Sequence, residues 1–442
     1  MTFSELNLNG PLLNALADLD YVDPTPIQQK AFPIIMSGRN VVGIAQTGTG
    51  KTFAYLLPLL RQLTFSEQKD PRILILAPTR ELVIQIVGEV EKLLKYTHFR
   101  FAGVYGGANI NMQKKVVYNG LDVIVATPGR LLDLALSGVL QLKSIQKLVI
   151  DEVDEMLGLG FRTQLTNLLE LLPVRRQNLM FSATLNPDVE ALIANSMPAP
   201  VKIEITAHGT PIEKIVQRAF HVPNFNTKVN LLKMLLDADP DMTKVLVFTA
   251  TKKLADRLFE QAELLFPGQV SVIHSNKSHN NRLDAIKQLQ QGTKRLLIAT
   301  DIIARGMDIM DVSHVINFDM PDVPGDYIHR LGRTGRADKD GIAISFINQT
   351  EREYQENIEQ MMNMAIPMEA LPEGIVISDV YYEEERIAPK FDKNYRKEPS
   401  IKDSQGAFHE KKGKNMKVNL GCAWKRNPKF TKTGKRIKNR PR

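Results

Sequence analysis

A glycine-rich octapeptide between an apolar run and a helix-like pattern constrains this chain more than any other stretch. It follows Val41-Val42-Gly43-Ile44 and precedes a helical pattern from Phe53 to Leu63. Such a strand-to-helix turn predicts a phosphate cradle, because glycines let backbone N–H groups face an anion at the positive end of a helix. Lys51 adds a charge near the terminal phosphates, and Thr52 offers a hydroxyl to Mg²⁺. A flexible loop is the alternative interpretation. The eight residues are Ala45, Gln46, Thr47, Gly48, Thr49, Gly50, Lys51 and Thr52.

Apolar runs of four to seven residues alternate with helical patterns along two parts of the chain. This alternation predicts βαβ units, and hence parallel sheets covered by helices on both faces. A break at Ala207-His208-Gly209-Thr210-Pro211 separates the two parts, so we predict two α/β domains. The predicted strands are 41–44, 72–77, 101–105, 122–126, 147–150, 178–182, 244–249, 270–274, 295–300, 314–318 and 341–347.

Charge is divided unevenly along the chain. Residues 389–442 carry 18 Lys and Arg against 4 Asp and Glu, a net charge of +14, whereas residues 1–388 carry 39 against 45, a net charge of −6. Such a tail is typical of proteins that bind a polyanion, and nucleic acid is favoured over a membrane because no amphipathic apolar face accompanies the charge. A merely solubilising tail is the alternative. After about residue 377 the hydrophobic period fades, which predicts disorder.

Cysteine content and hydropathy exclude several classes of protein. The chain has one cysteine, Cys422, and eight scattered histidines, so we expect neither a disulfide framework nor a zinc site. No apolar run approaches the roughly 18 residues of a membrane span, and the first residues lack the basic region of a secretory signal. We therefore expect a soluble, cytoplasmic protein with no membrane partner.

An acidic tetrapeptide, Asp151-Glu152-Val153-Asp154, follows the apolar run Leu148-Val149-Ile150. In phosphate-loop enzymes a carboxylate at the end of another strand supports Mg²⁺, and a neighbouring base orients water. We expect Asp151 on the metal side and Glu152 as the general base for water that attacks the γ-phosphate. A solvated turn or helix start is the alternative.

These stretches, with those that follow them, resemble the DEAD-box ATP-dependent RNA helicases of superfamily 2, and in detail the bacterial RhlE-like branch. The motifs fall in family order from Phe3 to about Phe346. The resemblance implies an α/β fold of two tandem RecA-like parallel-sheet domains joined by a short linker, with ATP, Mg²⁺ and RNA as ligands. The implied ranges are a Q-motif region at 1–29, an ATP-binding domain at 30–206, a linker at 207–213, a C-terminal helicase domain at 214–376, and a basic, disordered RNA-binding tail at 377–442.

The resemblance also implies a role for each motif residue. Gln28 would bond the adenine edge, which an amide suits because it both donates and accepts, while Tyr21 would stack on adenine and Asp308 would bind ribose. Arg333 and Arg336 would reach the γ-phosphate from the second domain, and Arg330 would bridge the domains. The implied catalytic residues are Lys51, Asp151, Glu152, Arg333 and Arg336, and the implied metal ligands are Thr52 and Asp151. The implied RNA-binding residues are Pro78, Thr79, Arg80, Gly107, Thr127, Arg130, Arg282 and Thr300. The implied coupling residues are Asp154, Ser182, Thr184, Asp301 and Arg330.

The implied activity is unwinding of short RNA duplexes or remodelling of RNA–protein complexes, driven by RNA-stimulated ATP hydrolysis. An ATP-gated RNA clamp with slow hydrolysis is the main alternative, and a DNA translocase is a third. Ribosomal precursors, messenger RNA and RNA-degradation complexes all stay open as targets.

Three residues depart from the family pattern: Val153 stands where the family has Ala, Ser275 where it has Gly, and His279 where it has Gln. We expect neighbouring packing to accommodate Val153 and activity to be retained.

Overall fold

Two parallel seven-stranded sheets form the framework of the protein in a computed structural model that describes residues 2–45, 48–205, 215–301, 309, 312–335, 341–382 and 385. The first sheet contains β1 (Val41–Ile44), β2 (Ile73–Leu76), β3 (Phe101–Val104), β4 (Val123–Ala126), β5 (Lys147–Ile150), β6 (Gln177–Ser182) and β7 (Val201–Glu204). The second contains β8 (Ile215–His221), β9 (Val245–Thr249), β10 (Val270–Ile273), β11 (Leu296–Thr300), β12 (His314–Asn317), β13 (Gly341–Ile347) and β14 (Met368–Glu369).

Helices connect the strands and cover both faces of each sheet. In the first domain they are α1 (Gly10–Asp18), α2 (Pro26–Met36), α3 (Lys51–Gln62), α4 (Arg80–Leu93), α5 (Ile110–Tyr118), α6 (Pro128–Leu136), α7 (Val153–Gly158), α8 (Arg162–Leu171) and α9 (Pro187–Ser196). In the second they are α10 (Phe225–Ala238), α11 (Lys252–Leu265), α12 (His279–Gln290), α13 (Pro324–Leu331) and α14 (Arg352–Met362). Among the described helices, none combines the length and the apolar character that a membrane crossing requires.

The two sheets have the same strand order when the strands of each are numbered from its own first strand. It is β3-β4-β2-β5-β6-β1-β7 in the first and β10-β11-β9-β12-β13-β8-β14 in the second, and neighbouring strands pair in parallel throughout. Central strands such as β2 and β4 are buried at every residue, because helices cover a parallel sheet on both sides. Separate apolar clusters therefore fill the two faces of each sheet. The predicted α/β fold of two RecA-like domains is confirmed.

The sequence analysis did not predict three of the strands. β7 and β8 alternate buried and exposed positions, as in Val201-Lys202-Ile203-Glu204, and so lack the continuous apolar run of a central strand. β14 has only two residues. Half-covered and very short strands give a weaker sequence signal than strands buried on both faces.

Both ends of the described fold differ from the expected boundaries. Residue 29, the expected end of the Q-motif region, lies inside α2, and Phe3, Leu6 and Ile27 belong to the core of the first domain. The Q-motif region is therefore part of that domain. The linker at 207–213 lies outside the described residues.

At the other end, ordered contacts continue past residue 377. Ser378 donates its N–H to Thr227 Oγ1 at 3.0 Å, and the Tyr382 ring packs edge-on against Phe225 at 5.5 Å and under the guanidinium of Arg257 at 3.9 Å. Glu385 also accepts a hydrogen bond from the N–H of Phe225 at the start of α10. The expectation that disorder begins at 377 is therefore wrong for these residues, because aromatic and capping contacts hold them. Residues 386–442 lie outside the described part of the chain.

Candidate functional site

The carboxyl edge of the first sheet is divided into two halves by the strand order. Strands β3, β4 and β2 are followed by Gly107, Thr127 and Pro78–Thr79, whereas β1 and β5 are followed by the phosphate loop and Asp151, and Ser182 ends β6. Open α/β sheets bind ligands at this edge. The residues expected to contact RNA thus lie on one half, and those expected to contact nucleotide lie on the other.

The phosphate loop has the backbone conformation that its glycines permit. Gly48 and Gly50 have φ angles of 80° and 88°, and a Cβ atom at Gly50 would lie 2.5 Å from Gln28 Nε2, so only glycine fits there. Lys51 is 7% exposed, and its Nζ has no hydrogen-bond partner among the described residues. A buried polar group without a partner is costly, so this site favours an anion. Gln46 and Thr47 lie outside the described residues.

Gln28 fastens the Q-motif segment to the phosphate loop. Its Oε1 accepts a hydrogen bond from the N–H of Thr25 at 2.9 Å, and its Nε2 donates to the C=O of Gly50 at 3.1 Å. These bonds use half of the amide's capacity. Tyr21 is 51% exposed and lies edge-on to Phe53 in the first turn of α3, with ring centroids 5.4 Å apart. The adenine contacts of Gln28 and Tyr21 stay predictions.

Asp151 lies buried at the end of β5, 3% exposed. Its Oδ2 accepts a hydrogen bond from the Tyr55 hydroxyl at 3.0 Å. Burial raises the pKa of Asp151, and the charge of Lys51 opposes that rise. Thr52, the other residue expected to hold Mg²⁺, lies in the first turn of α3, the helix that also carries Tyr55.

Glu152 has two features that are typical of a reacting group. Its φ angle of 49° lies in the left-handed region, which costs a non-glycine residue about 1 to 2 kcal/mol. Burial, followed by the neighbouring charge of Asp151, raises the pKa of Glu152 to about 7, while Lys51 and Arg333 lower it. A carboxylate that titrates near neutral pH is well matched to general-base catalysis.

Asp154 links the acidic segment to the Ser182-Ala183-Thr184 motif. Its Oδ2 accepts hydrogen bonds from the N–H and the hydroxyl of Thr184, both at 2.8 Å, and its own N–H donates to Ser182 Oγ at 3.3 Å. Burial works to raise the pKa of Asp154, but the nearby His329 charge, Lys51 and these hydrogen bonds outweigh it and hold the pKa below its usual range. The coupling role that the resemblance implies for these three residues stays a prediction.

ATP and Mg²⁺ fit these residues. Lys51 and the loop N–H groups would hold phosphates, and Thr52 and Asp151 would hold the metal ion. Among the described residues, no three His, Cys, Asp or Glu side chains converge as a preformed metal site. This pattern suits Mg²⁺, which is ordinarily bound by one or two protein ligands together with water and substrate phosphates.

The other half of the edge is shaped by arginines that already have partners. The guanidinium of Arg80 lies 4.9 Å from the centre of the Tyr105 ring. Arg130 Nη1 donates to the C=O of Ala108 at 3.1 Å and to Gln113 Oε1 at 2.7 Å, so it braces the turn around Gly107. The hydroxyl of Thr79 caps α4. The RNA contacts of all these residues, and of Pro78 and Thr127, stay predictions.

In the second domain Asp301 and Arg330 are brought together. Arg330 is 1% exposed, and its Nε and Nη2 donate to the two oxygens of Asp301 at 2.6 and 2.7 Å. Its Nη1 donates to the C=O of Asp319 at 2.6 Å and to Asn317 Oδ1 at 3.1 Å. The expectation that Arg330 bridges the domains is therefore wrong, because partners within its own domain occupy the guanidinium fork.

Three other side chains of the second domain face the first. The charge of Arg333, which is 5% exposed, lowers the pKa of Glu152 in the first domain. His329 Nε2 lies 3.9 Å from Asp154 Oδ2. Arg282 Nη1 forms an ion pair with Glu81 Oε1 at 2.8 Å, with both side chains about nine-tenths buried. Arg336 and Asp308 lie outside the described residues.

Sequence reasoning missed Glu81, His329 and Tyr55. Glu81 directly follows Arg80, and His329 directly precedes Arg330, but a partner in the other domain leaves no local pattern. Arg282 was expected to face RNA, and the structure adds Glu81 as its partner. Its RNA contact stays a prediction. Thr300 ends β11 at the carboxyl edge of the second sheet and is 8% exposed.

Comparisons with known proteins agree with this geometry. Residues 25–192 match the family described as DEAD/DEAH box helicase, and residues 227–338 match the helicase conserved C-terminal domain. The ATP-dependent RNA helicase RhlB of Shewanella sp. strain MR-4 is 36% identical over 391 residues, which cover 86% of this chain and 87% of the relative. This chain belongs to the DEAD-box helicases. Members of this family hydrolyse ATP. The relative is named RhlB, and the narrower assignment to an RhlE-like branch stays a prediction.

Two solved structures of one relative bear on the arrangement of the domains. Dbp5 of S. cerevisiae bound to RNA and ADP BeF3 is 31% identical, with a TM-score of 0.75 over 84% of this chain and 95% of that chain. A Dbp5 variant bound to Nup159, a Gle1 variant, IP6 and ADP is 29% identical, with a TM-score of 0.58 over 83% of this chain and 96% of that chain. The described domains are thus arranged more as in the complex with RNA and ADP BeF3.

Proposed function

We propose that this DEAD-box helicase unwinds short RNA duplexes or remodels RNA–protein complexes, and that ATP and RNA together close its two-domain cleft. One observation carries the proposal: Arg282 of the second domain forms an ion pair with Glu81 of the first at 2.8 Å, so residues at the carboxyl edges of the two sheets meet. Glu152, the expected general base, belongs to the first domain, and Arg333, an expected neutralising cation, belongs to the second. A competent site therefore requires the closed arrangement.

The described residues support a separate role in ATP hydrolysis for each side chain of the site. Lys51 would bind the terminal phosphates, and Glu152 would take the proton from the water that attacks the γ-phosphate. Arg333 would neutralise the charge that develops on the transferred group. Bound Mg²⁺ would supply further charge neutralisation, held by Thr52 and Asp151. The products are ADP and phosphate.

Closure would couple hydrolysis to RNA. The ion pair between Glu81 and Arg282 and the approach of His329 to Asp154 join the domains. Thr79 and Arg80, which are expected to contact RNA, directly precede Glu81 in the chain. If ATP and RNA each bind the closed form better, each raises the affinity for the other. Contacts from both domains would bend one strand so that its complement is expelled, and loss of phosphate would reopen the cleft.

We further propose that the basic tail at 387–442 adds affinity for RNA without regard to sequence, and that the protein acts in the cytoplasm. The net positive charge of the tail supports the first proposal. Removal of residues 387–442 should weaken RNA binding and reduce its salt dependence while basal ATP hydrolysis stays unchanged. Equal affinity for RNA at low salt with and without the tail would contradict it.

Steady-state ATP hydrolysis with and without single-stranded RNA tests the main proposal. We expect strong stimulation by RNA and little by DNA of the same sequence, since only RNA offers 2′-hydroxyls to residues that contact the backbone. Glu152→Gln should still bind RNA in the presence of ATP while hydrolysis falls by about 10² to 10⁴-fold. ATP-dependent RNA binding by the wild type without hydrolysis would favour the clamp, and equal stimulation by DNA would favour a translocase.

A further inference from the structure

A buried lysine lies directly behind the part of the second domain that faces nucleotide and RNA. Lys228 of α10 is 1% exposed, and its Nζ donates to the C=O of Phe318 at 2.6 Å, to Asp319 Oδ1 at 3.1 Å and to Glu351 Oε2 at 2.9 Å. Burial works to lower the pKa of Lys228, but the charges of Glu351 and Asp319 outweigh it and raise the pKa. Lys228 is therefore a charged ammonium inside the domain.

Asp319 connects this ion pair to the carboxyl edge of the second sheet. Its Oδ2 accepts a hydrogen bond from the N–H of Ala250 at 2.9 Å, in the loop that follows β9. Its C=O accepts the hydrogen bond from Arg330, and its N–H donates to the C=O of Phe248 at 3.2 Å. One residue thus fixes the end of β9, the end of β12 and the α13 helix that leads to Arg333.

Glu351 extends the same network to the next strand. Its Oε1 accepts a hydrogen bond from the N–H of Met320, and its Oε2 accepts one from the N–H of Asn348, at 3.0 and 2.9 Å. Asn348 directly follows β13. Lys228 thereby connects α10 to the ends of β9, β12 and β13. Removing the cation would leave two buried carboxylates close together, which is strongly unfavourable.

We propose that Lys228 is a positioning residue for RNA-stimulated ATP hydrolysis, because it holds Asp319 and Glu351 and through them the loop after β9 and the helix that presents Arg333. The inference rests on the proposed function. The inference goes beyond the proposed function because it makes a side chain that is fully enclosed within the second domain responsible for part of the geometry of the site. A displacement of about 1 Å in a positioned group can lower a rate by on the order of 10²-fold.

Lys228→Met tests this assignment, with Lys147→Met as the matched control. Lys147 is half-buried, and its Nζ donates to the neutral amides of Gln62 and Gln177 at the opposite edge of the first sheet. Both variants should lose stability. Well below their unfolding temperatures, Lys228→Met should lower the RNA-stimulated kcat by on the order of 10- to 100-fold with the KM for ATP nearly unchanged, whereas Lys147→Met should leave both unchanged.

Asp319→Asn completes a double-mutant cycle. If Lys228 acts through Asp319, the double variant should be no slower than the worse single variant, since residues that act as a unit are not additive. A folded Lys228→Met with the wild-type kcat, or two effects that multiply, overturns the assignment. If Lys228→Met does not fold, a normal kcat for Asp319→Asn overturns it instead. Wild-type hydrolysis that RNA does not stimulate overturns the proposed function itself.

Discussion

The two domains share a strand order but arrange charge in opposite ways at their carboxyl edges. In the first domain Asp151 is buried and Glu152 is half-buried, both with raised pKa values, and Lys51 Nζ lacks a hydrogen-bond partner among the described residues. In the second domain the buried cations Lys228 and Arg330 each have several oxygen partners. The first edge thus contains a buried cation without a hydrogen-bond partner among the described residues, whereas Lys228 and Arg330 of the second domain are paired.

This difference indicates a division of labour. Unsatisfied charges are costly in the free protein and are relieved when a ligand of matching charge binds, which is the expected state of a substrate-binding edge. A satisfied network is rigid and can present one further side chain accurately. Arg333 would then be a cation that the second domain delivers to the incomplete edge of the first.

Removing that delivered cation should have the largest effect. Arg333→Ala should lower the RNA-stimulated kcat by on the order of 10³-fold, as for arginines that neutralise phosphoryl-transfer charge in other enzymes. The measurement is single-turnover ATP hydrolysis at saturating RNA, with Arg175→Ala, at an exposed position, as the control. A loss of less than about threefold would remove Arg333 from the reaction.

The cost of the incomplete edge should appear as a pH-dependent stability. The folded-state pKa of Glu152, about 7, is above its ordinary value of 4.5, so the protonated carboxyl group favours folding and this stability is lost as pH rises through about 7. Glu152→Gln should therefore raise the free energy of unfolding by up to about 3 kcal/mol at pH 8 and by little near pH 4. Urea unfolding of the nucleotide-free protein measures this.

The control for that experiment is Glu89→Gln, whose carboxylate lies on the surface beside Lys92. It should change stability little at either pH. A gain for Glu152→Gln that was equal at both ends of the pH range would show that the side chain does not carry the raised pKa.

The contact between the two edges can be broken and restored. Charge reversal at either member of the Glu81 and Arg282 pair should raise the RNA concentration for half-maximal ATPase stimulation about tenfold, equivalent to about 1.4 kcal/mol. The double reversal, Glu81→Arg with Arg282→Glu, should recover most of the loss. A double variant that was worse than either single one would indicate instead that Arg282 acts mainly on RNA.

A change in stability without a change in rate is expected at the C-terminal end of the described fold. Tyr382→Ala removes the ring that packs on Phe225 and under Arg257, which should lower the free energy of unfolding by about 1 to 2 kcal/mol with kcat unchanged. Tyr381→Ala, with a 43% exposed side chain, is the matched control. Equal losses in the two variants would mean that the ring contacts add nothing specific.

Local patterns were sufficient to predict the domains and most of the site. The glycine spacing at 48–50 and the carboxylates after β5 can each be recognised from a few consecutive residues. The structure places both at the carboxyl edge of the first sheet. The same holds for Ser182 and Thr184, which end a strand adjacent to β1 in the sheet. Parallel strands bring such motifs together at their carboxyl ends whatever their separation along the chain.

Pairings between distant side chains could not be predicted. Arg330 was expected to bridge the domains, and only the fold shows that Asp301, Asn317 and Asp319 already occupy its guanidinium. Val153 was expected to need compensation, and it lies fully buried in the apolar core on one face of the first sheet. The contacts of Ser378, Tyr382 and Glu385 were missed because they depend on a few specific partners in α10 and α11 rather than on a periodic apolar pattern.

The most direct test of the split site is the affinity for single-stranded RNA with and without a non-hydrolysable ATP analogue. If the two edges form one site, the analogue should tighten RNA binding at least tenfold in the wild type, about 1.4 kcal/mol of coupling, and the gain should largely vanish in Arg333→Ala. Equal RNA affinity with and without the analogue in the wild type would contradict a site completed by domain closure.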